Sequence, residues 1–307
     1  MTVNLGYACI NMTLQEQKVS CNKGMIKRTF KAKGVPYASE IALKNVQALK
    51  KIIEWNGTHG IKVYRMTSCL FPWFSEYDIF TMPDIDAIAD TMSEAGEMAI
   101  SGGQRLSFHP GPFNCLASPN EGVVLKTIAE LDAHSIQMDL MGLPQSPQAK
   151  INIHIGGAYG EHDKALERFC RNFERLLPST RSRLTVENDD RASLFSTKML
   201  YDGVSSRIGV PIVFDSHHHE LGPQDSTYKE AFYMARETWQ KRGVKQQCHH
   251  SNSKKLYEDN TVRASAHSDW YYTPFENFGE EVDVVLECKK KERALFKYQE
   301  DFQNESR

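Results

Sequence analysis

Five apolar runs in the chain each close on a side chain of metal-ligand type: Leu106-Ser107-Phe108-His109, Ile151-Asn152-Ile153-His154, Leu184-Thr185-Val186-Glu187, Ile212-Val213-Phe214-Asp215 and Val284-Val285-Leu286-Glu287. Two histidines, two glutamates and an aspartate at the ends of separate runs point to one site assembled from many strand ends. The segment Asp215-Ser216-His217-His218-His219 adds histidines. A tight turn there lets Asp215 and a residue three positions on reach inward together, which favours His218 over His217 and His219. Cys248-His249-His250-Ser251 closes a further run, with either His249 or His250 available as ligand, and Ala266-His267-Ser268-Asp269 brings one more histidine. Oxygen and imidazole without thiolate suit Mn²⁺, Zn²⁺ or Fe²⁺, with Mg²⁺ also possible. So many ligands exceed what one ion can use. Two or three ions are expected, a cluster that hydrolyses phosphate esters by activating water and offsetting charge on the leaving oxygen. Glu187, midway between the histidine runs and the aspartate run, is the natural bridging carboxylate. Such chemistry needs no side-chain nucleophile, so Ser216, His217 and Asp215 are not read as a hydrolytic triad. His59, His134 and His162 are read as surface or half-buried histidines without a catalytic role.

The elements that must position these residues alternate. Strand-like runs fall at 3–8, 61–66, 105–109, 151–154, 183–187, 210–215, 244–249 and 282–287. Helical periodicity fills 39–49, where Ser39 can cap the start, and 83–100, 122–141, 162–177, 192–201 and 226–240. Alternation of this kind marks parallel βαβ units. Eight such strands closing on themselves predict an α/β TIM (β/α)8 barrel with its active site at the C-terminal ends of the strands. No linker, repeat or composition break divides residues 1–307, so one domain is expected.

Composition narrows the class. Lys and Arg (37) nearly balance Asp and Glu (39), so a nucleic-acid enzyme would need local basic patches or bound cations. The exception to the even spread is Lys23, Lys27, Arg28, Lys31 and Lys33, placed in a long loop after the first strand and read as phosphate contacts. Lys289, Lys290 and Lys291 have acids nearby and are read as surface or supporting residues. The seven cysteines are scattered, odd in number and never spaced as CxxC, against both a disulfide framework and a thiolate zinc site. The opening Met1 to Leu5 has no basic segment followed by a long apolar one, and no apolar run reaches the ~20 residues of a membrane span. An intracellular protein, cytoplasmic or nucleoid-associated, is expected.

Taken in order, these blocks resemble the UV damage endonucleases, relatives of endonuclease IV and of the xylose-isomerase-like barrels. The resemblance runs through Leu5-Gly6-Tyr7-Ala8-Cys9-Ile10-Asn11, Tyr64-Arg65-Met66-Thr67-Ser68-Cys69-Leu70-Phe71-Pro72 and Ser107-Phe108-His109-Pro110-Gly111. It continues through His154-Ile155-Gly156-Gly157, Val186-Glu187-Asn188-Asp189, Phe214-Asp215-Ser216-His217-His218 and Leu286-Glu287-Cys288-Lys289. It implies a three-metal centre, usually manganese, in a monomer acting on duplex DNA. His109, His154 and Glu187 would hold one ion, Glu187, Asp215, His249 and Glu287 a second, and His218 with His267 a third. His109, Glu187, His218 and His267 would be the catalytic members. The implied reaction nicks DNA immediately 5′ to a UV photoproduct, leaving a 3′ hydroxyl and a 5′ phosphate, with Tyr7 and Asn11 lining the pocket near the damaged bases. The sequence departs from the pattern where Pro112-Phe113 replaces a Gln-Tyr pair and where Gln247 replaces a lysine two residues before the seventh-strand histidine. The histidine usual after the Leu-Phe-Pro block is here Glu76 or Tyr77. Phe113 is placed either to wedge into the helix or to pack on the rim.

The same ligands could serve an abasic-site endonuclease of the endonuclease IV type. A sugar isomerase or epimerase would use one or two ions and not need His218 or His267. A damage-binding protein without chemistry would have no use for the ligands at all.

Overall fold

Eight short parallel strands carry the chain, in the computed structural model that describes residues 3–303. The sequence reading of the first residues includes Met1 and Thr2, which lie outside that range. The strands are β1 (Val3–Ala8), β2 (Val63–Arg65), β3 (Arg105–Ser107), β4 (Ile151–Ile153), β5 (Leu184–Glu187), β6 (Ile212–Val213), β7 (Gln247–His250) and β8 (Val282–Leu286). They form a five-stranded sheet of order β3-β2-β1-β8-β7 and a three-stranded sheet of order β4-β5-β6. Two parallel bridges link the sheets. Phe108 pairs with Ile151 and Asp215 with His249, carried by Phe108 N–H to Lys150 O at 2.9 Å and His249 N–H to Phe214 O at 3.0 Å. β1 and β2 approach so closely that a Cβ at Gly6 would meet Val63 O at 2.0 Å, which reserves that position for glycine.

Strands β3, β4, β6 and β8 end before their apolar runs do. His109, His154, Asp215 and Glu287 therefore stand just past their strands, where backbone leaving the ladder turns a side chain inward, while Glu187 is the last residue of β5. Helices cover the outside with apolar stripes. The helix Lys27–Thr58 buries Ile41, Val46, Leu49, Ile52 and Ile53, and its neighbour Ile85–Ser101 buries Ile88, Met92 and Ala99. Each of these side chains except Ala99, fully removed from water, contributes ~1.5–3 kcal/mol. At the opposite end from the ligands, the buried Arg105 guanidinium donates to Asp283 Oδ2 at 3.0 Å and to the carbonyls of Gln148, Lys245 and Pro147.

Several sequence expectations need correction. The first long helix starts at Lys27, so Lys27, Arg28, Lys31 and Lys33 lie on a helix, and of the basic run only Lys23 stays in the loop. Ser39 is not a cap. It sits inside that helix and donates through Oγ to Asp84 Oδ2 at 2.8 Å. The break comes earlier, at Gly34, whose φ of 65° no helix accommodates. The expected helix over 192–201 begins only at Thr197, because Asp189 holds the preceding loop through Phe195, and Ser196 caps the start. His134 is fully buried, edge-on to Phe74 and Phe108, rather than superficial. No helix among the described residues is long and apolar enough to cross a membrane.

Candidate metal centre

The strand ends converge on Glu187. This carboxylate is 0% exposed, and its Oε2 lies 3.2 Å from His109 Nε2 and 3.0 Å from His249 Nδ1. Asn152 Nδ2 donates to the same oxygen, and Thr185 Oγ1 donates to Asn152 Oδ1 at 2.8 Å, which fixes the carboxylate from β4 and β5. Oε1 is 3.2 Å from His218 Nδ1. Because that nitrogen also faces Asn188 O at 3.0 Å, Oε1 is left without a hydrogen bond. Three groups have ligand atoms close enough to share an ion: His109 with Glu187 and His249, His154 with Glu187 and His218, and Asp215 with His249 and Glu287.

This grouping revises the expected one. His109 and His154 do not fall in one group of ligand atoms with Glu187. They stand in separate triads, each with Glu187 and one further histidine, His249 of β7 or His218 of the short helix after β6. Glu187 does belong to two triads, as expected of a bridging carboxylate. His267 joins none of the three: its Nε2 is 3.8 Å from Glu287 Oε2 and its Nδ1 faces Ser251 Oγ at 2.6 Å. The choice between His249 and His250 is made by geometry. His250 turns away, its Nδ1 on Ser216 Oγ at 2.7 Å and its Nε2 on Thr273 O at 3.0 Å.

Local structure explains the aim of each ligand. Asp215 is the N-cap of the short helix Ser216–Leu221, its Oδ1 accepting from His218 N–H at 2.8 Å. The cap turns His218 toward Glu187 and leaves Asp215 Oδ2 without a partner. His217 is buried with its ring 5.7 Å from that of His267 and neither ring nitrogen hydrogen-bonded, and His219 packs on Phe214 and Tyr228. After His154 the chain passes through Gly156 at φ 96°, where a Cβ would meet Cys115 Sγ at 2.3 Å.

The electrostatics fit a cation site. Burial opposes ionisation of Glu187, yet His249, His109 and His154 hold its carboxyl well below the usual range. For Glu287 burial is likewise outweighed, chiefly by the Arg65 guanidinium paired with it. Burial raises Asp215 to about 6 and lowers His249 and His267 to about 4. Burial also resists protonation of His218, but Asp215 and Glu187 carry it well above the ordinary value. The buried atoms without a partner include Glu187 Oε1, Asp215 Oδ2, His249 Nδ1 and His154 Nδ1. Buried polar atoms normally find partners, and these four are oxygen or imidazole donors spread over the three ligand groups. The residues fit a divalent cation.

Sequence reasoning missed the residues that support the ligands. Arg65, at the end of β2, pairs with Glu287. Asp189 Oδ1 lies 3.1 Å from His154 Nδ1. Lys150, fully buried at the foot of β4, sets its Nζ 3.0 Å from His249 Nε2, so His249 turns Nδ1 to the carboxylates. Burial drives the Lys150 ammonium down to about 7. Gln247 lies nearby in β7 with both amide atoms unpaired. A lysine opening an apolar run was the available signal for Lys150. Tyr7 and Asn11 are both buried, Tyr7 OH donating to Asn56 Oδ1 at 2.8 Å and accepting from Asn11 Nδ2 at 2.9 Å, while Asn11 caps the turn at Met12–Glu16.

Above the ligands opens a cavity of about 610 Å³, rimmed by Arg65, Pro112, Arg191, Arg263 and His267. Phe113, on the loop stiffened by Pro110 and Pro112, is 89% exposed. It does not pack on the rim. Lys23, Arg28, Lys31 and Lys33 are exposed, and Lys27 sits 5.5 Å over Trp73 and 3.9 Å from Glu76.

A TIM-barrel-like fold with carboxylate-imidazole groups able to hold a metal defines the class, and the overall likeness agrees. D-psicose 3-epimerase from Clostridium cellulolyticum H10 matches with a TM-score of 0.52 at 12% identity over 78% of each chain, a likeness of fold alone. The profile of the family described as UV-endonuclease UvdE matches residues 3–306, and the chain belongs to that family. It is similar to the UV-damage endonuclease of Schizosaccharomyces pombe (strain 972), 32% identical over 95% of this chain and 49% of that protein. It thus spans about half the length of that relative. The UV DNA damage endonuclease of Bacillus velezensis is 29% identical over 79% of this chain and 75% of its own. The crystal structure of SacUVDE matches with a TM-score of 0.85 at 27% identity, covering 99% of both chains.

Proposed function

We propose that the protein is a metal-dependent endodeoxyribonuclease that nicks duplex DNA immediately 5′ to UV photoproducts, cyclobutane dimers and 6-4 products, leaving a 3′ hydroxyl and a 5′ phosphate. The observation that carries this reading is the buried Glu187 carboxylate, shared by two ligand triads beneath an arginine-rimmed cavity, in a member of the UvdE family. The eight strands are read as closing into a (β/α)8 barrel, one catalytic domain over 1–307, acting as an intracellular monomer.

His109, His154, Glu187, Asp215, His218, His249 and Glu287 would hold two or three divalent ions, Mn²⁺ by preference, with His267 at the edge of the set. The ions supply Lewis acidity that activates water and offsets charge on the leaving oxygen. The chain's residues do the rest. Arg65 keeps Glu287 ionised and aimed, Lys150 and Asn152 hold His249 and Glu187 from below, and Arg191 and Arg263 attract the phosphates that flank the cut. Phe113 wedges into the stack where a lesion has already weakened it, so the energy of opening is least at damaged sites.

The test is the nick position on an end-labelled duplex carrying one thymine dimer, with Mn²⁺ as the defined metal. The expected product is a single nick 5′ to the dimer. Equal nicking of an undamaged duplex, or cutting confined to an abasic-site duplex, would replace this reading.

A further inference from the structure

The loop between β7 and β8 carries a surface that holding the ligands does not use. It leaves the C-terminal end of β7, and its Arg263 and His267 line the metal cavity. Leu256 stands on it 72% exposed, with the exposed rings of Tyr257 and Tyr272 in the same loop. The two rings form a parallel stack, centroids 4.6 Å apart at 1°, and Leu256 precedes Tyr257 in the short helix Lys254–Tyr257. One exposed leucine is ordinary, but an apolar tip next to an exposed aromatic pair marks a contact surface.

The loop is braced from within. Glu258 accepts from the N–H groups of Asp269 and Trp270 at 2.7 and 3.2 Å and from Tyr272 OH at 2.9 Å. Lys254 Nζ pairs with Asp269 at 2.9 Å, and Ser253 and His267 form an antiparallel bridge. Asp259 accepts from Thr261. The acids are thus engaged by the loop's own frame. Lys255 and Arg263 are exposed and have no carboxylate partner among the described residues.

Position in the fold names the occupant. β3 and β7 are the two edges of the five-stranded sheet, and the loops after them wall the metal cavity with Pro112 on one side and Arg263 and His267 on the other. A duplex laid with its scissile phosphate over the ligands meets both walls. The unpaired Lys255 and Arg263 complement its backbone, and leucine is among the apolar residues that wedge between base steps from the minor groove.

We propose that Leu256 is a second wedge: the β7–β8 loop seats in the minor groove of undamaged duplex flanking the lesion, where Leu256 unstacks one base step beside the Tyr257–Tyr272 pair. The inference rests on the endonuclease reading for its DNA, and adds a contact away from the lesion.

The test uses the full chain with Mn²⁺ and thymine-dimer duplexes whose scissile linkage is a methylphosphonate. 2-Aminopurine is placed at each flanking position in turn and brightens where its neighbours unstack. Wild type is expected to brighten one flanking step several-fold, apart from the signal at the dimer. Leu256→Ala should lose the flanking signal and keep the one at the dimer, and Leu256→Met should restore it. Affinity for a long dimer duplex should fall on the order of tenfold in Leu256→Ala. A duplex trimmed to end short of the bright step should bind both proteins alike, a distinction that general damage to the loop would not make. No bright flanking step with wild type, or an equal one in Leu256→Ala, overturns the proposal and leaves the tip to another protein. Nicking of an unsubstituted dimer duplex by wild type is scored in parallel. Nicking without the flanking step removes the second wedge alone, the flanking step without nicking removes the endonuclease reading alone, and loss of both removes both.

Discussion

Exchange of Glu187 for glutamine is the sharpest perturbation of the centre, because it keeps shape and volume while removing one charge. The carboxylate faces His109, His249 and His218 at 3.0–3.2 Å and belongs to two of the three ligand triads. Contacts to a charged group contribute ~1.5–3 kcal/mol each, so losing its charge toward two ions removes ~3–6 kcal/mol, or ~10²- to 10⁴-fold in rate. Stability gives an independent reading. Mn²⁺ at a hundred times its Kd stabilises the folded protein by ~2.7 kcal/mol. At ~2 °C per kcal/mol for a chain this long, wild type should gain ~5 °C in Tm. Glu187→Gln should gain ~1 °C or less, nick dimer duplex at least ~10²-fold more slowly, and bind that duplex within about threefold of wild type. Thermal melts with and without Mn²⁺, single-turnover nicking and anisotropy would report the three quantities. Full activity, or an undiminished Mn²⁺ shift, would refute the bridging role.

Lys150→Met keeps the buried stem but frees the His249 ring, and should weaken Mn²⁺ affinity 10- to 100-fold by calorimetric titration. Phe113→Ala should lower the ratio of damaged to undamaged duplex affinity while leaving undamaged binding unchanged; an equal fall in both would discard the wedge. Gly156→Ala places a methyl against Cys115 at a positive φ and should lower stability by ~1–3 kcal/mol in chemical denaturation. His134 carries a pH prediction. Burial lowers it to about 4, below its unfolded value of ~6.5. Its contribution is therefore fully present above about pH 6.5 and is lost as pH falls toward 4, by ~3 kcal/mol in all. His134→Leu should flatten that part of the stability profile, measured by urea denaturation from pH 7 to 4.

The ligands were legible because hydrophobic patterning and chemistry coincide at strand ends. A short buried strand is a run of apolar residues, and the first ionisable residue after it falls at the mouth. His109, His154, Glu187, Asp215 and Glu287 all follow that rule. Which ligands share an ion was not legible, since it depends on distances across strands remote in sequence, such as β3 to β7 for His109 and His249. Arg65 and Lys150 escaped notice for a related reason. Each lies within or beside an apolar run, where its charge reads as an interruption of the pattern, and each has its partner more than ninety positions away. The basic run was misplaced because Lys and Arg are good helix formers, and Gly34 and Pro36 drew the expected start of the helix too late.

The last strand, β8, lies between β1 and β7, and it delivers Glu287 and the far side of the ligand set. During synthesis the first strand therefore waits for a neighbour made some 280 residues later. A nascent or prematurely ended chain carries the earlier histidines and Glu187 but lacks the carboxylate that closes one triad. The order of the strands acts as an assembly checkpoint, withholding the full ligand set until the final strand has docked.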